Sequence, residues 1–176
     1  MRLEAGTIPP QSGPTAPFSE EFLRDEGLEG FLRVIDLVAG PSPVPAGPGV
    51  YAVVRRSNAP PQFLPASVGG HFKGKDPSVT TANLEEKWVE GAASLYVGRA
   101  SNLRQRLHLL ARFADGQPVA HWGGRYLWQL ADHDDLLVAW QETGDQIARE
   151  AELTREFIDV FDALPFANLV QPRAAG

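Results

Sequence analysis

The sequence predicts an α+β fold, in which short strands alternate with amphipathic helices. Residues 49–55 alternate between two faces as a strand does, and residues 94–113 pass from a short apolar run into an Arg-rich helix. Residues 145–162 repeat apolar side chains at the period of a helix. The chain has 176 residues and 43% hydrophobic content, so it can bury one core, and a single domain with extensions is expected.

The first 48 residues are expected to be an extension of that domain. Residues 1–17 are rich in Pro, Gly and Thr, which predicts a flexible arm. Ser19 and the two glutamates after it are a helix-start signal, and the apolar spacing out to Gly40 predicts two short helices interrupted at Gly27 and Gly30. The Pro-rich run 41–48 predicts a stiff connector.

The domain itself is expected to cover residues 49–170, followed by a short tail at 171–176. An irregular insertion, 57–90, follows its first strand and ends in a predicted helix over 82–89. Irregular stretches of this length inside a compact domain are typically functional or mobile. Another strand is predicted at 136–140, before the last helix.

The stretch 94–113 is where we expect a binding site. Its strand delivers Tyr96, and Gly98 separates that strand from a helix that carries Arg104, Arg106 and Arg112. Tyr96 and Arg106 lie ten residues apart across this turn, so a phenol and a guanidinium can face one pocket. A phosphate group would suit such a pocket.

On the last helix one carboxylate lies among apolar side chains. Glu150 falls at the centre of the apolar stripe, whereas Glu152 and Glu156 fall on the opposite, solvated side. A buried carboxylate is costly unless it is paired, so a cationic or metal partner is expected. The helix alone leaves a structural ion pair with an arginine and a functional metal site equally open.

In their order along the chain, these residues resemble the GIY-YIG nuclease superfamily. The resemblance rests on two tripeptides, an arginine, a later glutamate and a closing asparagine: Gly49-Val50-Tyr51, Tyr96-Val97-Gly98, Arg106, Glu150 and Asn168. The stretch 95–107 is especially similar to the nuclease domain of the excision-repair incision subunit. Each tripeptide alone is a weak signal, but the ordered set is specific, and it covers about residues 49–168.

The resemblance implies a small three-stranded antiparallel sheet flanked by helices, and a metal-dependent endonuclease that hydrolyses phosphodiester bonds in DNA. It implies one Mg²⁺ or Mn²⁺ ion on Glu150, with Glu152 as the runner-up. Arg106 would hold the phosphate, and Asn168 would help to shape the site. We assign Tyr51 as the residue that activates water and Tyr96 as the residue that positions the phosphate or the water.

Several further residues are candidates for substrate binding. Gly98 would let backbone and substrate approach each other, and Arg99 and Arg104 would form a local basic strip together with Arg106 and Arg112. His121 and Arg125 belong to the loop H-W-G-G-R, in which two glycines allow close approach of the backbone. For these two residues a structural role, tying the loop to the sheet by hydrogen bonds, stays open.

Two features limit this interpretation. The two tyrosine motifs are separated by 44 residues, positions 52–95, instead of a short hairpin, and such insertions usually alter access and specificity. The net charge of −6 argues against a whole-surface nucleic-acid binder, although it allows a local basic strip. The alternative is a noncatalytic module that binds nucleic acid or protein through the insertion.

The cellular setting is inferred from composition. The chain has no cysteine, which is compatible with a reducing compartment. Its first residues lack the pattern of a secretory signal, and no apolar run approaches the roughly 20 residues of a membrane helix. We therefore expect a cytoplasmic protein without membrane association, and DNA is the partner that the resemblance implies.

Overall fold

A four-stranded antiparallel sheet lies at the centre of the protein in a computed structural model, which describes residues 16–171. The strands are β1 (Glu29–Arg33), β2 (Gly49–Val54), β3 (Ser94–Ala100) and β4 (Leu137–Glu142), in the spatial order β1-β4-β2-β3. The helices are α1 (Glu20–Asp25), α2 (Thr81–Lys87), α3 (Leu103–Ala114) and α4 (Gln146–Phe161). The α+β class is confirmed, whereas most of the predicted arm at 1–17 and tail at 171–176 lies outside the described residues.

The strand β1 corrects two expectations, a three-stranded sheet and a helix continuing to Gly40. Residues 29–33 form this strand and pair with β4, and a 3-10 helix, Val34–Val38, follows. Gly27, Gly30 and Phe31 have φ values of 90°, 99° and 54°, which no right-handed helix accommodates. A side chain at Gly30 would also collide with the ring of Trp140 on β4. The N-terminal segment therefore completes the sheet.

The strand β2 forms where the sequence predicts it, and both of its faces are buried. Tyr51 and Val53 point into a core that α3 covers, together with the segment that follows α3. Val50 and Val54 point into a second core, which receives Leu23 from α1 and apolar residues of α4. Helices therefore pack against both faces of the sheet.

The edge of β3 is covered by the segment that follows α4. The backbone N–H of Ala167 donates to the carbonyl of Leu95 at 2.8 Å. The Asn168 side chain accepts from the Val97 N–H at 2.9 Å and donates to the Val97 carbonyl at 2.8 Å. One amide thus satisfies both backbone groups of an edge residue and fixes this segment beside β3.

The insertion 57–90 packs against the domain through specific contacts. Its backbone bonds to the segment 128–131, and the buried Gln129 amide donates to the carbonyls of Leu64 and Val79. Trp88, at the end of α2, packs edge-on against Phe166, two residues before Asn168. The insertion therefore braces the segment that covers β3.

None of the helices between residues 16 and 171 combines the length and the apolar character that crossing a membrane requires.

Candidate active site

A cleft of about 420 Å³ lies beside the edge strand β3. Side chains from β3, α3, α4 and the segment after α4 line it: Tyr96, Arg99, Arg106, Glu150 and Asn168. Because β3 is an edge strand, helices on opposite faces of the sheet can both reach the cleft around it. Five of the residues that the sequence predicts for the site therefore share one cavity.

The position of Arg106 follows from the local structure of α3. Asn102 caps the helix, and its side-chain oxygen accepts from the Gln105 N–H at 3.0 Å. Leu103, Leu107 and Leu110 are fully buried and fix the rotation of the helix against the sheet. The guanidinium of Arg106 is thereby directed toward the sheet and the cleft.

Tyr51 lies behind the cleft and not on its surface. Its side chain has no solvent-exposed area, and its ring centroid is 5.8 Å from that of Tyr96. The Nε–H of Arg106 donates to Tyr51 Oη at 3.1 Å, and His121 Nε2 lies 3.4 Å from the same oxygen. Tyr96, not Tyr51, is the tyrosine that lines the cleft.

Glu150 is ion-paired with Arg99 at the wall of the cleft. The Glu150 side chain is 12% exposed and that of Arg99 is 35% exposed. Burial raises the pKa of Glu150, while the positive charges of Arg99 and Arg106 oppose this shift. The cationic partner expected for this carboxylate is therefore Arg99.

The runner-up carboxylate, Glu152, lies outside the cleft. Its side chain is 48% exposed and bonds to Arg149 at 2.6 Å. Arg149 is also bonded to Glu26, in the turn that follows α1. Of the two candidate glutamates, the structure brings only Glu150 to Arg106 and Tyr96.

Gly98 is required by the packing of the two tyrosines. A Cβ atom at this position would lie 2.7 Å from Tyr51 Cζ and 2.9 Å from Tyr96 Cε1. The space that a side chain would need is thus filled by the two rings. This contact explains the glycine without any approach of substrate.

Two of the predicted substrate-binding arginines lie elsewhere. Arg104 Nε–H donates to the carbonyl of Val44 at 2.8 Å, and the Arg125 guanidinium lies 4.9 Å above the Trp122 ring. Helical spacing already separates Arg104 from Arg106, because two positions are about 200° of rotation. Arg99 therefore supplies the second guanidinium of the cleft.

The Tyr96 phenol and the His121 imidazole are neutral near pH 7, because burial shifts the pKa of each. Burial raises the pKa of Tyr96 far above its ordinary value. Burial, with a smaller effect of the Arg106 cation, lowers the pKa of His121 to about 3. Two guanidiniums and one carboxylate then remain, so the cleft carries net positive charge and favours an anion.

Sequence reasoning missed part of the cleft wall. Gly123 and residues 169–171 line the cavity, and a Cβ atom at Gly123 would lie 3.4 Å from Tyr96 Oη. The Gly-Gly pair at 123–124 predicted a close approach of this loop, but not that Tyr96 is the side chain it approaches. Residues 169–171 carry no comparable signal.

The number of carboxylates in the cleft determines how it could hold a divalent ion. Within residues 16–171, no three His, Asp or Glu side chains form a preassembled metal cluster. Mg²⁺ commonly binds through one or two carboxylates and substrate phosphates and keeps several waters. Glu150 offers one carboxylate in a cavity with room for waters. These residues fit a hydrated ion that binds together with a phosphate.

Comparisons of the chain with protein-family models, with curated proteins and with solved structures found no match.

Proposed function

We propose that the protein is a metal-dependent endonuclease that hydrolyses phosphodiester bonds in DNA. The observation that carries the proposal is the meeting of Arg99, Arg106, Tyr96 and Glu150 in one cleft with net positive charge. Phosphodiester hydrolysis needs cations at the phosphate, a positioned water and an anchor for a divalent ion. These side chains supply each requirement. A cytoplasmic location and a DNA partner belong to the same proposal.

The two arginines have the simplest role in this reaction. Arg106 has its Nε–H committed to Tyr51, so its terminal NH₂ groups are the ones left for phosphate oxygens. Arg99 can exchange the Glu150 carboxylate for a phosphate oxygen without losing a charged partner. Together they offset the charge that develops when water attacks phosphorus and the bond to the leaving oxygen breaks.

Glu150, released from Arg99, would hold the divalent ion. Such an ion would lower the pKa of a bound water and polarise the phosphate, and the proton that the water loses would pass to solvent, from which the leaving oxygen would take one up. Tyr96 lines the cleft as a neutral phenol, so it would orient the attacking water by a hydrogen bond instead of removing its proton. This keeps for Tyr96 the positioning of water that the sequence suggested, and it leaves the activation of water, suggested for Tyr51, to the divalent ion.

The proposal is tested by incubating supercoiled plasmid with the purified protein and Mg²⁺ or Mn²⁺. We expect nicked and linear products that disappear with EDTA and with Glu150→Ala. Equal cleavage by Glu150→Ala would identify a contaminating nuclease. Absence of cleavage on duplex, branched and single-stranded DNA would reject the proposal.

A noncatalytic binding module is the second candidate function. The Arg99–Glu150 ion pair favours it, because a carboxylate neutralised by an arginine also makes a stable structural contact. The module would still bind the DNA backbone through Arg106. Salt-dependent DNA binding without cleavage in either metal would favour this candidate.

A further inference from the structure

We infer that His121 is a positioning residue, which holds the Arg106 guanidinium toward the cleft through the hydroxyl of Tyr51. The inference rests on the proposed function of the cleft and adds a residue that does not itself line it. The three side chains contact one another in series from the buried interior to the cavity: His121, Tyr51 and Arg106.

The Tyr51 hydroxyl is the centre of this series, and only its hydrogen bond with Arg106 has a fixed direction. Tyr51 Oη lies 3.1 Å from Arg106 Nε and 3.4 Å from His121 Nε2. Arg106 can only donate, so the tyrosine oxygen is its acceptor. The neutral imidazole either accepts the Tyr51 proton or donates to its oxygen. In both tautomers His121 restrains the atom to which Arg106 is bonded.

The His121–Tyr51 contact also ties its loop to the sheet, since Tyr51 lies on β2. A tie alone could bond the imidazole to backbone groups, as the Gln129 amide bonds to two carbonyls, whereas here the partner is the hydroxyl that accepts from Arg106. Within residues 16–171 the side-chain partner of His121 is Tyr51. The imidazole is fully buried, so this contact is shielded from water and held in place by packing. The contact that ties the loop to β2 therefore also restrains the hydroxyl that accepts from Arg106.

The restraint on Arg106 matters because of the planar geometry of its guanidinium. Its five N–H groups are coplanar, so fixing Nε–H fixes the directions of the terminal NH₂ groups. Tyr51 itself has no exposed area, so it cannot present its hydroxyl to substrate without a rearrangement. Its hydroxyl is placed to orient Arg106 instead. Small errors in the orientation of a phosphate-binding group are costly for catalysis.

The Nε–H of Arg106 provides a direct readout by NMR, independent of any cleavage. Proteins labelled with ¹⁵N at arginine are compared as wild type, His121→Leu and His121→Gln. Gln can place an amide group near the position of Nε2, whereas Leu cannot form a hydrogen bond. Loss of one hydrogen-bonded restraint is expected to speed exchange of the Arg106 Nε–H by about three- to tenfold in His121→Leu. His121→Gln should recover most of the protection.

Tyr51→Phe removes the intermediate hydroxyl and keeps the ring, so it provides a second route if His121→Leu is unstable. It should speed Arg106 Nε–H exchange at least as much as His121→Leu does. If exchange is unchanged in His121→Leu, or in Tyr51→Phe where the former does not fold, the positioning role is wrong. If exchange responds as expected but the wild type cleaves no DNA, the positioning role stands and the nuclease proposal fails.

In an active protein, the kinetics give the corresponding test. Misorientation of Arg106 should lower kcat/KM of His121→Leu by about three- to tenfold, with partial rescue in His121→Gln. Adding His121→Leu to Tyr51→Phe should lower kcat/KM little further, because Tyr51→Phe already removes the hydroxyl that connects His121 to Arg106. Independent, additive losses would contradict the inference.

Discussion

The guanidinium of Arg99 and the carboxylate of Glu150 form an ion pair at the wall of the cleft. The negative charge of the carboxylate proposed to bind a divalent ion is thus balanced by Arg99 in the free protein. A phosphate bound by Arg99 would release Glu150 at the moment when the ion is needed. Substrate and metal are therefore expected to bind together.

The first prediction concerns this ion pair. Arg99→Gln removes the positive charge that competes with a metal, so the free protein should bind Mn²⁺ more tightly. Partly exposed ion pairs contribute on the order of 1 kcal/mol, which corresponds to about fivefold in affinity. Calorimetric titration without DNA measures this change, and Arg149→Gln, which frees Glu152 outside the cleft, is the matched control. Unchanged Mn²⁺ affinity in Arg99→Gln would contradict the competition.

The second prediction concerns the packing of the tyrosines. Gly98→Ala should displace both rings, because the added methyl group would lie within 3 Å of Tyr51 and Tyr96. Overpacking of this kind typically costs about 1–3 kcal/mol in the free energy of unfolding. Urea unfolding measures it, and Gly144→Ala is the control, since no heavy atom lies within 4 Å of its added methyl group. Equal stability of the two variants would show that the rings move freely.

The third prediction concerns the Asn168 amide. Asn168→Asp replaces the NH₂ group that donates to the Val97 carbonyl by an oxygen, so two acceptors would face each other at about the present 2.8 Å. We expect a loss of about 1–3 kcal/mol in stability and faster hydrogen exchange of the β3 amides. The exposed Asn58, mutated to Asp, is the control. If exchange in β3 is no faster in Asn168→Asp than in Asn58→Asp, Asn168 does not anchor the segment.

The fourth prediction concerns stability against pH. His121 takes up a proton near pH 3 in the folded protein and near 6.5 when unfolded, because burial lowers its pKa. The unfolded chain binds more protons between these values, so stability contributed above pH 6.5 is lost as the pH falls through this window. At pH 5 the loss is about 2 kcal/mol. Thermal unfolding at pH 7 and pH 5 measures it.

The variant His121→Gln should remove most of that loss, whereas His71→Gln, at an exposed site, should retain it. Comparison of the two variants cancels the contributions of the other titrating groups. A pH dependence in His121→Gln as steep as in wild type would show that His121 is not buried as a neutral group.

Local patterns were sufficient to predict β2, β3, β4, α3 and α4, since the strands show apolar alternation or short apolar runs and the helices repeat apolar residues at the helical period. They failed at β1 because Phe31 and Leu32 also fit a helical spacing. The conformation of that segment is determined by its tertiary pairing with β4 and by the positive φ values at Gly27 and Gly30. A single sequence contains no record of such pairing.

The cleft was predictable only in part, because local patterns identify single residues but not their tertiary partners. Tyr96 and Arg106 stand out because they flank a predicted strand-to-helix turn. Glu150 stands out because it is a carboxylate at a position that the helical pattern predicts to be buried. The pairing of Glu150 with Arg99 joins β3 to α4 over 51 residues of sequence, and no local spacing predicts it. The burial of Tyr51 behind the cleft likewise depends on the positions of His121 and Gly98.

The central claim, that Glu150 anchors the divalent ion in a nuclease site, is tested most directly by a matched pair of substitutions on α4. Glu150→Gln and Glu152→Gln each remove one carboxylate from the same helix, inside and outside the cleft. Single-turnover cleavage of plasmid DNA in Mg²⁺ or Mn²⁺ should fall by about a hundredfold or more in Glu150→Gln and stay near wild type in Glu152→Gln. Equal rates in the two variants, or a larger loss in Glu152→Gln, would contradict the account.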